Sequence, residues 1–325
     1  MPKSSQKDYP FVSVITVNWN GLRLLERLLP HLEKQSYPRD KYEIVILDND
    51  SSDNSVDFLK SKYKDIVLIE NSNNDGFARG CNIGILSQRA KYYVLVNNDT
   101  IPKESWLASL VERAETDQHI GAVTSKLLFL NKGDGSIINN AGSVLYPNRA
   151  WPVEEIGANK KDGPEYNKPR EITAFSGASL LLSHKMLKDI GLFDERFFMY
   201  FEDADLSWRG QKAGWKYYYE PKSVILHEHS ASSKEHSNFW VFYVTRNRLL
   251  IIFKHAKWNL ALKVYLTFIR DFMMMPVFNL LRARAVRHQL HLIKLGFKIN
   301  GSFLFQLGPT LFKRFGWVSE RKIET

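Results

Sequence analysis

The chain has 325 residues, of which 44% are hydrophobic and 25% charged, enough for one large domain or two smaller ones around a sizeable core. Its single cysteine, Cys81, excludes an internal disulfide framework and fits a reducing compartment. Its formal net charge is +10, and the excess positive charge lies in residues 239–325, which carry 15 basic and three acidic residues. Residues 1–238 carry 30 basic and 32 acidic residues.

The first hundred residues alternate between strand-like and helix-like segments. Runs of β-branched residues predict buried strands, and leucines at helical spacing predict helices between them. The predicted strands cover residues 11–17, 42–47, 66–69 and 92–96, and the predicted helices cover 22–34, 55–63 and 78–88. This alternation predicts an α/β fold with a mostly parallel central sheet and helices on both faces.

Polar clusters follow three of the predicted strands at their carboxyl ends. They are Asn18 to Asn20, Asp48 to Asp53 and Asn97 to Asp99. Ligands of open α/β sheets bind beyond the carboxyl ends of the strands, so these clusters should face one crevice. Asn and Asp also make good turns and helix caps, which would explain any one cluster alone. Three clusters at three strand ends favour a binding site.

The central part of the chain is less regular. It predicts helices over 106–116 and 185–190 and strands over 122–129, 215–220 and 224–226. Residues 131–169 are rich in Gly, Asn, Lys and Pro, which predicts a long, partly mobile excursion; a lid or acceptor loop and a plain surface insertion both remain open. Small residues at 176–179 would let a ligand approach the backbone closely.

Three carboxylates crowd into residues 202–205, directly after an aromatic and apolar run. Apolar residues further along fit one helix face, which places Glu202, Asp203 and Asp205 in the first turn of a helix, where the helix dipole stabilises acids. Carboxylates at the edge of a partly dry pocket have raised pKa values, which suits a general base. On this stretch alone, helix stabilisation and catalysis both remain open.

Taken in order, these motifs resemble family-2 glycosyltransferases of the GT-A fold, and most of all the rhamnosyltransferase-like enzymes of bacterial cell-surface polysaccharide synthesis. The resemblance covers about residues 11–255. The motifs that carry it are VITVNWN at 14–20, DNDSSDNS at 48–55, NDGFARGCNIG at 74–84, NND at 97–99, SGA at 176–178, GLFDE at 191–195 and EDADL at 202–206, then Arg209 and Gly214.

The resemblance implies an inverting transfer of a sugar, with rhamnose suggested, from a nucleotide-diphosphate donor to a hydroxyl. Asp203 would be the general base, and Glu202 and Asp205 would orient it or cap the helix. Asp48 would accept hydrogen bonds from the base or ribose, and Arg79 would supplement the charge on the diphosphate. The residues assigned to the nucleotide sugar are Thr16, Asn18, Asn20, Asp48, Asp50, Arg79, Asn82, Asn97, Asn98, Gly177 and Arg246.

The resemblance also implies a divalent metal, Mg²⁺ or Mn²⁺, that bridges the diphosphate and is bound by Asp99, the last residue of an Asp-x-Asp-type motif. The first position of that motif is Asn97 here, which leaves one carboxylate fewer. His227 and His229 alternate on a predicted strand and so share one face, and His227 is the second predicted metal ligand. A hydrogen-bonded structural histidine remains the alternative.

Residues 239–325 mix apolar and aromatic residues with Lys and Arg. This pattern is typical of amphipathic helices on an anionic membrane surface, where a polyprenyl-linked acceptor would be found. Packing on the catalytic domain or at a dimer interface remains open, and so does the oligomeric state. Arg246 would contact a phosphate or form part of a solvated basic face. We expect no nucleic-acid binding, because no recognition motif accompanies the basic residues.

These expectations divide the chain into a polar tail (1–10), a GT-A catalytic domain (11–238) and a basic helical region (239–325). Residues 11–100 would bind the nucleotide, and 101–238 would hold the acceptor and catalytic groups. No apolar run predicts a signal peptide or a membrane span, so we expect a cytoplasmic enzyme, peripheral on the cytoplasmic face of the membrane. Its substrates would be a dTDP-, UDP- or GDP-sugar and a glycan or polyprenyl-linked acceptor.

Two other classes of protein remain possible on the sequence. A nucleotidyltransferase would also use a strand-end crevice and a metal, but it usually has a glycine-rich basic loop after the first strand, and residues 18–23 are poor in both features. A non-catalytic scaffold that binds a glycan or a membrane would not need Asp48, Asp99 and Asp203 together. Release of pyrophosphate would reveal the first class, and absence of donor turnover would support the second.

Overall fold

The computed structural model describes residues 9–228, 237–281, 286–316 and 318–323. The predicted alternation of strands and helices is confirmed, with element ends displaced by two residues or fewer. The elements up to residue 129 are β1 (Val12–Asn18), α1 (Leu22–Glu33), β2 (Tyr42–Asp48), α2 (Ser55–Lys62), β3 (Val67–Glu70), α3 (Gly76–Leu86), β4 (Tyr92–Val96), β5 (Thr100–Pro102), α4 (Trp106–Ala114) and β6 (Ile120–Phe129).

The second half adds short strands, one long strand and the C-terminal helices. Its elements are β7 (Ile138–Asn140), β8 (Ser143–Leu145), β9 (Val153–Glu155), β10 (Arg170–Ile172), β11 (Ser179–Ser183), α5 (His184–Ile190), α6 (Glu202–Lys212), β12 (Lys216–His227), α7 (Asn238–His255), α8 (Trp258–Ile269), α9 (Met275–Leu281) and α10 (Val286–Arg314). The strands predicted over 215–220 and 224–226 are one strand, β12, which shifts register against β6 between Glu220 and Val224. The three acids begin α6, as predicted.

The central sheet has the order β10-β12-β6-β11-β4-β1-β2-β3, with β5 beside β12 and β7 beside β6. Strands β3, β2, β1 and β4 are parallel, as predicted. β11 runs antiparallel between β4 and β6, while β6 and β12 pair in parallel. Apolar side chains of the sheet pack against α1 and α4 on one face and against α3 and α5 on the other. The carboxyl ends of β1, β2 and β4 therefore open at the same edge.

Residues 131–169, expected to be irregular and partly mobile, contain short paired strands. β7 pairs with β6, and β8 pairs with β9. Lys126 of β6 is buried, and its Nζ donates to Asp162 Oδ1 at 2.9 Å. Tyr219 of β12 donates its hydroxyl to the carbonyl of Tyr166 at 2.8 Å. These contacts fasten the region to the sheet, so its lack of sequence periodicity does not reflect a lack of structure.

The C-terminal helices form an apolar cluster with one side of α6. Leu250 and Ile251 of α7, Phe268 of α8 and Phe303 of α10 are buried there. A short segment, residues 318–323, then returns to the loop before α6. This packing supports the interpretation in which the region lies against the catalytic domain, although the outer faces of α8 to α10 expose large apolar side chains. None of the described helices is long and apolar enough to cross a bilayer.

Candidate active site

The three polar clusters meet in one crevice at the carboxyl ends of β1, β2 and β4. Asn18, the last residue of β1, bridges the other two clusters. Its Nδ2 donates to Asp48 Oδ2 at 2.9 Å, and its Oδ1 accepts from Asn98 Nδ2 at 2.9 Å. Asp48 Oδ1 accepts from the backbone N–H of Ser51 at 2.8 Å. The parallel sheet therefore brings the clusters together as the sequence predicts.

The loops after β1 and β2 are hydrogen-bonded to each other beside Asn18. The backbone N–H of Asn20 donates to Ser51 Oγ at 2.8 Å, and the N–H of Ser52 donates to Asn20 Oδ1 at 2.8 Å. Asn20 (φ 49°) and Asp50 (φ 63°) adopt the left-handed backbone conformation, which Asn and Asp tolerate better than most residues. Both residues are exposed, so they form an accessible rim of the crevice.

Asp203 lies in the first turn of α6 and contacts the backbone beside the strand ends. Its Oδ2 accepts from the N–H of Gly177 at 3.0 Å, and its Oδ1 accepts from the N–H of Ala204 at 2.7 Å. Burial raises the pKa of Asp203, although these two N–H groups oppose the shift. The carbonyl of Ala178 accepts from the N–H of Asn97 at 3.1 Å. A continuous series of contacts thus joins the Asp203 carboxylate to the strand-end clusters.

Glu202 lies beside Asp203 and is only 5% exposed. Its Oε2 has no hydrogen-bond partner among the residues that the structure describes. Burial raises the pKa of Glu202 well above its usual range, and the negative charge of Asp203 adds to that shift. These surroundings favour a proton on Glu202 and a charge on Asp203, so the two neighbouring acids are suited to different roles.

Asp99 and His227 form a buried pair at the end of β4 and β12. Asp99 Oδ1 lies 3.3 Å from His227 Nε2, and His227 Nδ1 lies 2.8 Å from Asn139 Oδ1. In the tautomer that carries its proton on Nδ1, His227 donates to Asn139 Oδ1 and keeps Nε2 in the unprotonated form that binds a metal ion. Two ligands of one small divalent cation lie about 3 Å apart, so the pair fits Mg²⁺ or Mn²⁺. Asn97 Oδ1 is buried and has no partner within the described ranges.

The prediction that His229 shares a face with His227 stays a prediction, because His229 lies outside the described residues. Asn139 was not predicted as a partner of His227: it lies 88 residues away along the chain, in the irregular region, and no local pattern links the two. A hydrogen-bonding partner of this kind becomes visible only when β7 and β12 are placed on either side of β6.

A second group of carboxylates, Asp194, Asp205 and Glu320, is also close enough to hold a metal ion. However, Lys254 Nζ lies 2.7 Å from Asp205 and Glu320 and 2.8 Å from Asp194, and Arg209 Nε lies 2.9 Å from Asp205. Burial alone would raise the pKa of Asp205, but Lys254 and Arg209 outweigh it and hold that pKa well below its usual range. We call these five residues the ion-pair cluster. The ammonium group of Lys254 lies among the three carboxylates, where a metal ion would otherwise bind.

Asp205 therefore does not orient Asp203, which was one of its two expected roles. Its side chain is fully buried on the other side of α6. Arg209, four residues later, also donates to the carbonyl oxygens of Ile190 and Leu192, both at 2.6 Å. Two of the three acids, Glu202 and Asp203, thus lie beside the crevice, and the third, Asp205, joins α6 to the rest of the protein.

Arg79 and Asn82, both on α3, were assigned to the nucleotide sugar. Arg79 is half exposed, with its Nε 3.3 Å from Asp75 Oδ2 and 3.9 Å from Glu195 Oε2. Asn82 is fully buried; its Nδ2 donates to the carbonyl of Phe193 at 2.9 Å, and its Oδ1 accepts from the N–H of Phe193 at 3.0 Å. Arg79 is accessible to a ligand, whereas Asn82 holds the loop before α6.

Arg246 and Thr16 are also buried. Arg246 Nη2 donates to the carbonyl oxygens of Arg196 at 2.8 Å and Phe197 at 2.9 Å, and burial lowers the pKa of Arg246 to about 10. It is not part of a solvated basic face, which was one interpretation. Thr16 lies within β1, and its hydroxyl has no hydrogen-bond partner in the part of the chain that the structure describes. Contacts of these two residues with a donor stay predictions.

Comparison with known sequences identifies a family. The family model of glycosyl transferase family 2 matches residues 13–188. An uncharacterized glycosyltransferase of Haemophilus influenzae is 31% identical over 134 residues, which cover 40% of this chain and 41% of that protein. The N-acetylglucosaminyl-diphospho-decaprenol L-rhamnosyltransferase of Mycobacterium tuberculosis is 25% identical over 245 residues, or 68% of this chain and 76% of that protein.

Two solved structures share the fold at 17% sequence identity. GalNAc-T7 with UDP, GalNAc and Mn²⁺ aligns with a TM-score of 0.61 over 76% of this chain and 48% of that chain. The mannosyltransferase PcManGT of Pyrobaculum calidifontis, in complex with GDP-Man and Mn²⁺, aligns with a TM-score of 0.56 over 92% of this chain and 88% of that chain. The predicted GT-A-like fold is confirmed.

Proposed function

The chain belongs to glycosyl transferase family 2, and from that premise we propose that it moves a sugar, with inversion, from a nucleotide-diphosphate donor to a hydroxyl of a glycan or lipid-linked precursor. The observation that carries the proposal is the single crevice where Asn18 joins Asp48 to Asn98, beside the Gly177 N–H that holds Asp203. A donor site and a candidate base share that opening. Rhamnose as the sugar is supported by the relative from M. tuberculosis.

In the proposed reaction, Asp203 is the general base. Its carboxylate takes the proton of the acceptor hydroxyl while the hydroxyl oxygen bonds to the anomeric carbon. The bond from that carbon to the diphosphate breaks, and its electron pair leaves with the nucleoside diphosphate. Attack from the face opposite the leaving group inverts the anomeric centre. Because burial raises the pKa of Asp203, its carboxylate accepts a proton more readily than a solvated one would.

The donor is proposed to lie along the strand-end loops. Asn20 and Asp50 form the exposed rim and would contact it directly. Asp48 is 1% exposed and bound to Asn18 and Ser51, so it would act on the nucleotide through the loops that it holds. UDP, GDP and dTDP sugars all remain candidate donors.

Asp99 and His227 would hold a divalent cation, Mn²⁺ or Mg²⁺. Their spacing fits the cation, and both solved structures of the same fold contain Mn²⁺. When bound, the cation supplies positive charge that stabilises the leaving diphosphate. Arg79, which is half exposed, is proposed to add to that charge.

The acceptor is proposed to be polyprenyl-linked and presented at the cytoplasmic face of an anionic membrane. The outer side of α8 exposes Leu262 and Leu266, each 57% accessible, and α10 exposes Phe297 and Phe305. Lys298, next to Phe297, is also exposed. Apolar side chains flanked by lysines suit the interface of an anionic bilayer. Phe305→Ser should lower co-sedimentation with phosphatidylglycerol vesicles; unchanged co-sedimentation would contradict this part of the proposal.

Donor titration tests the central proposal. We would record calorimetric titrations with UDP-, GDP- and dTDP-sugars, with and without Mn²⁺, in wild type, Asp99→Ala and the exposed-site control Asp40→Ala. We expect Mn²⁺-dependent binding of one nucleotide that Asp99→Ala alone weakens. An acceptor-dependent release of nucleoside diphosphate would support transfer. Release of pyrophosphate would indicate a nucleotidyltransferase, and absence of both binding and turnover a non-catalytic scaffold.

A further inference from the structure

Residues 197–201, here called the base loop, lead directly into the helix that carries Asp203. Three of them, Phe198 (φ 64°), Tyr200 (φ 69°) and Phe201 (φ 69°), have left-handed backbone conformations. Such conformations are strained in residues with a Cβ atom, and they persist only where surrounding contacts hold them. The groups that hold the base loop therefore also determine where Asp203 points.

Asn247 of α7 is fully buried against the base loop. Its Nδ2 lies 2.8 Å from the carbonyl oxygen of Phe197 and 2.7 Å from those of Met199 and Tyr200. The convergence of three carbonyls fixes the orientation of this amide, because an oxygen in the same place would repel all three. Arg246 Nε completes the arrangement by donating to Asn247 Oδ1 at 2.9 Å.

Arg246 holds the start of the loop as well. Its Nη2 donates to the carbonyls of Arg196 and Phe197. Its guanidinium lies 4.8 Å from the centre of the Tyr243 ring, and that ring stacks on Phe198 with a centroid distance of 4.8 Å. Residues of α7 therefore contact both the backbone and a side chain of the base loop.

The start of α3 contacts the opposite side of the loop. The N–H of Ala78 donates to the carbonyl of Phe198 at 3.1 Å. Gly76 (φ 81°) lies so close that a Cβ atom there would be 2.5 Å from the Phe198 ring. With α3 on one side and α7 on the other, the base loop has little room to relax, and Asp203 is held against Gly177.

We propose that Arg246 and Asn247 are positioning residues for the transfer reaction: they hold the base loop in its strained form, so that the Asp203 carboxylate is held toward the crevice. The inference rests on the proposed role of Asp203 as the base. It differs from the phosphate contact expected for Arg246. Loss of positioning lowers kcat, whereas loss of a phosphate contact that binds the donor raises the KM of the donor.

Asn247→Asp tests the inference most sharply, because it keeps the shape of the side chain and places an oxygen among three carbonyls. We expect kcat to fall about 100-fold with the donor KM changed less than about threefold. Asn247→Ala removes the amide that donates hydrogen bonds to the loop but adds no repulsive oxygen, and it should lower kcat about 10-fold. Asn300→Asp is the matched control, because among the described residues Asn300 Oδ1 accepts a hydrogen bond from Tyr265 at 3.0 Å and aspartate keeps that acceptor.

Hydrogen–deuterium exchange over residues 197–204 tests the same contacts without using activity. Faster exchange in Asn247→Ala, confined to the base loop and the first turn of α6, would support the inference, and unchanged exchange would overturn it. Faster exchange with unchanged kcat would overturn the positioning role. If wild type transfers no sugar but exchange rises in the variant, the contacts are supported and the proposed function fails. A higher donor KM with unchanged kcat in Arg246→Lys would overturn the part assigned to Arg246.

Discussion

Carboxylates on two sides of α6 have opposite pKa shifts. Glu202 and Asp203 are next to the crevice, where burial raises both pKa values. Among the described residues, the groups that donate hydrogen bonds to Asp203 are backbone N–H groups and not cations. Asp205, two residues further on, is more deeply buried than Asp203, yet Lys254 and Arg209 keep its pKa well below the usual range. The presence of cations, not the degree of burial, separates an acid suited to proton transfer from one suited to structure.

Helix geometry explains how one short motif supplies both sets. Successive residues of an α-helix are about 100° apart, so Asp203 and Asp205 point to nearly opposite sides of α6. The first faces Gly177, and the second faces Lys254 of α7. The motif thus combines a catalytic candidate with the anchor that holds its helix, and substitutions within it should separate into losses of rate and losses of stability.

The largest effect should come from Asp203→Asn, which removes the proposed proton acceptor and keeps the size of the side chain. We expect kcat to fall by about 10² to 10⁴ while the dissociation constant of the donor is unchanged. Steady-state kinetics and calorimetry on the same preparation would measure both. Asp65→Asn, at an exposed site, is the control. Turnover retained in Asp203→Asn would remove Asp203 as the base.

Lys254→Met should reduce the difference between the two groups of acids, because it removes the cation that lowers the pKa of Asp205 most. The three carboxylates of the ion-pair cluster would lose the cation that contacts all of them, although Arg196 and Lys313 still contact Asp194 and Arg209 still contacts Asp205. Because the buried negative charge is then only partly compensated, we expect the free energy of unfolding at pH 7 to fall by about 3 kcal/mol. Urea denaturation measures the change. Lys257→Met, at an exposed position just after α7, should alter it by about 0.5 kcal/mol or less. Similar losses in both variants would show that the cluster contributes little.

The pH dependence of stability should also reflect the buried cluster. His255 Nε2 lies 2.7 Å from Asp205 Oδ1, yet burial outweighs that contact and lowers the pKa of His255 to about 4. A histidine with a lowered folded-state pKa stabilises the protein above its unfolded pKa near 6.5, and this contribution is lost as the pH falls toward 4. We expect His255→Gln to flatten the stability profile over that window by about 2–3 kcal/mol. An unchanged profile would contradict the assignment.

Glu202→Gln should give the smallest effect, and one of opposite sign. A carboxyl group whose folded-state pKa is raised costs stability once the pH exceeds its unfolded pKa near 4.3. Removing that group should therefore stabilise the protein by about 1 kcal/mol or less, and more at pH 8 than at pH 5. Thermal unfolding at the two pH values measures this. Equal stabilisation at both would exclude titration of Glu202 as the cause.

The parallel half of the fold could be predicted because its signals are local. Each strand, its polar end and the following helix lie within a few dozen residues, and the convergence of Asn18, Asp48 and Asn98 follows from the direction of the strands. The start of α6 at Glu202 was predictable for the same reason. The grouping of motifs into a donor site required the resemblance to a family, since Asn and Asp also form ordinary turns.

The ion-pair cluster could not be predicted, because its members are distant in sequence. Lys254 lies 60 residues from Asp194 and 66 from Glu320. The mixture of apolar and basic residues over 239–325 predicts amphipathic helices, but it does not predict that Asp205 and Glu320 contact Lys254. Arg246 was expected to contact a phosphate or solvent for the same reason: its carbonyl partners lie in a loop 50 residues earlier. Short strands such as β7 could not be predicted, because three residues are too few to show the alternation of apolar and polar residues typical of a strand.

The segment 318–323 has a consequence for how the protein is made. The carbonyl of Arg321 accepts from the N–H of Leu192 at 2.8 Å, and Glu320 lies against Lys254. On the ribosome, α6 emerges more than a hundred residues before these partners exist. The helix that carries Asp203 therefore gains this support only after residues 318–323 have been translated. A chain released early at residue 316 would contain every crevice residue described above and still lack part of the support for the helix that carries Asp203.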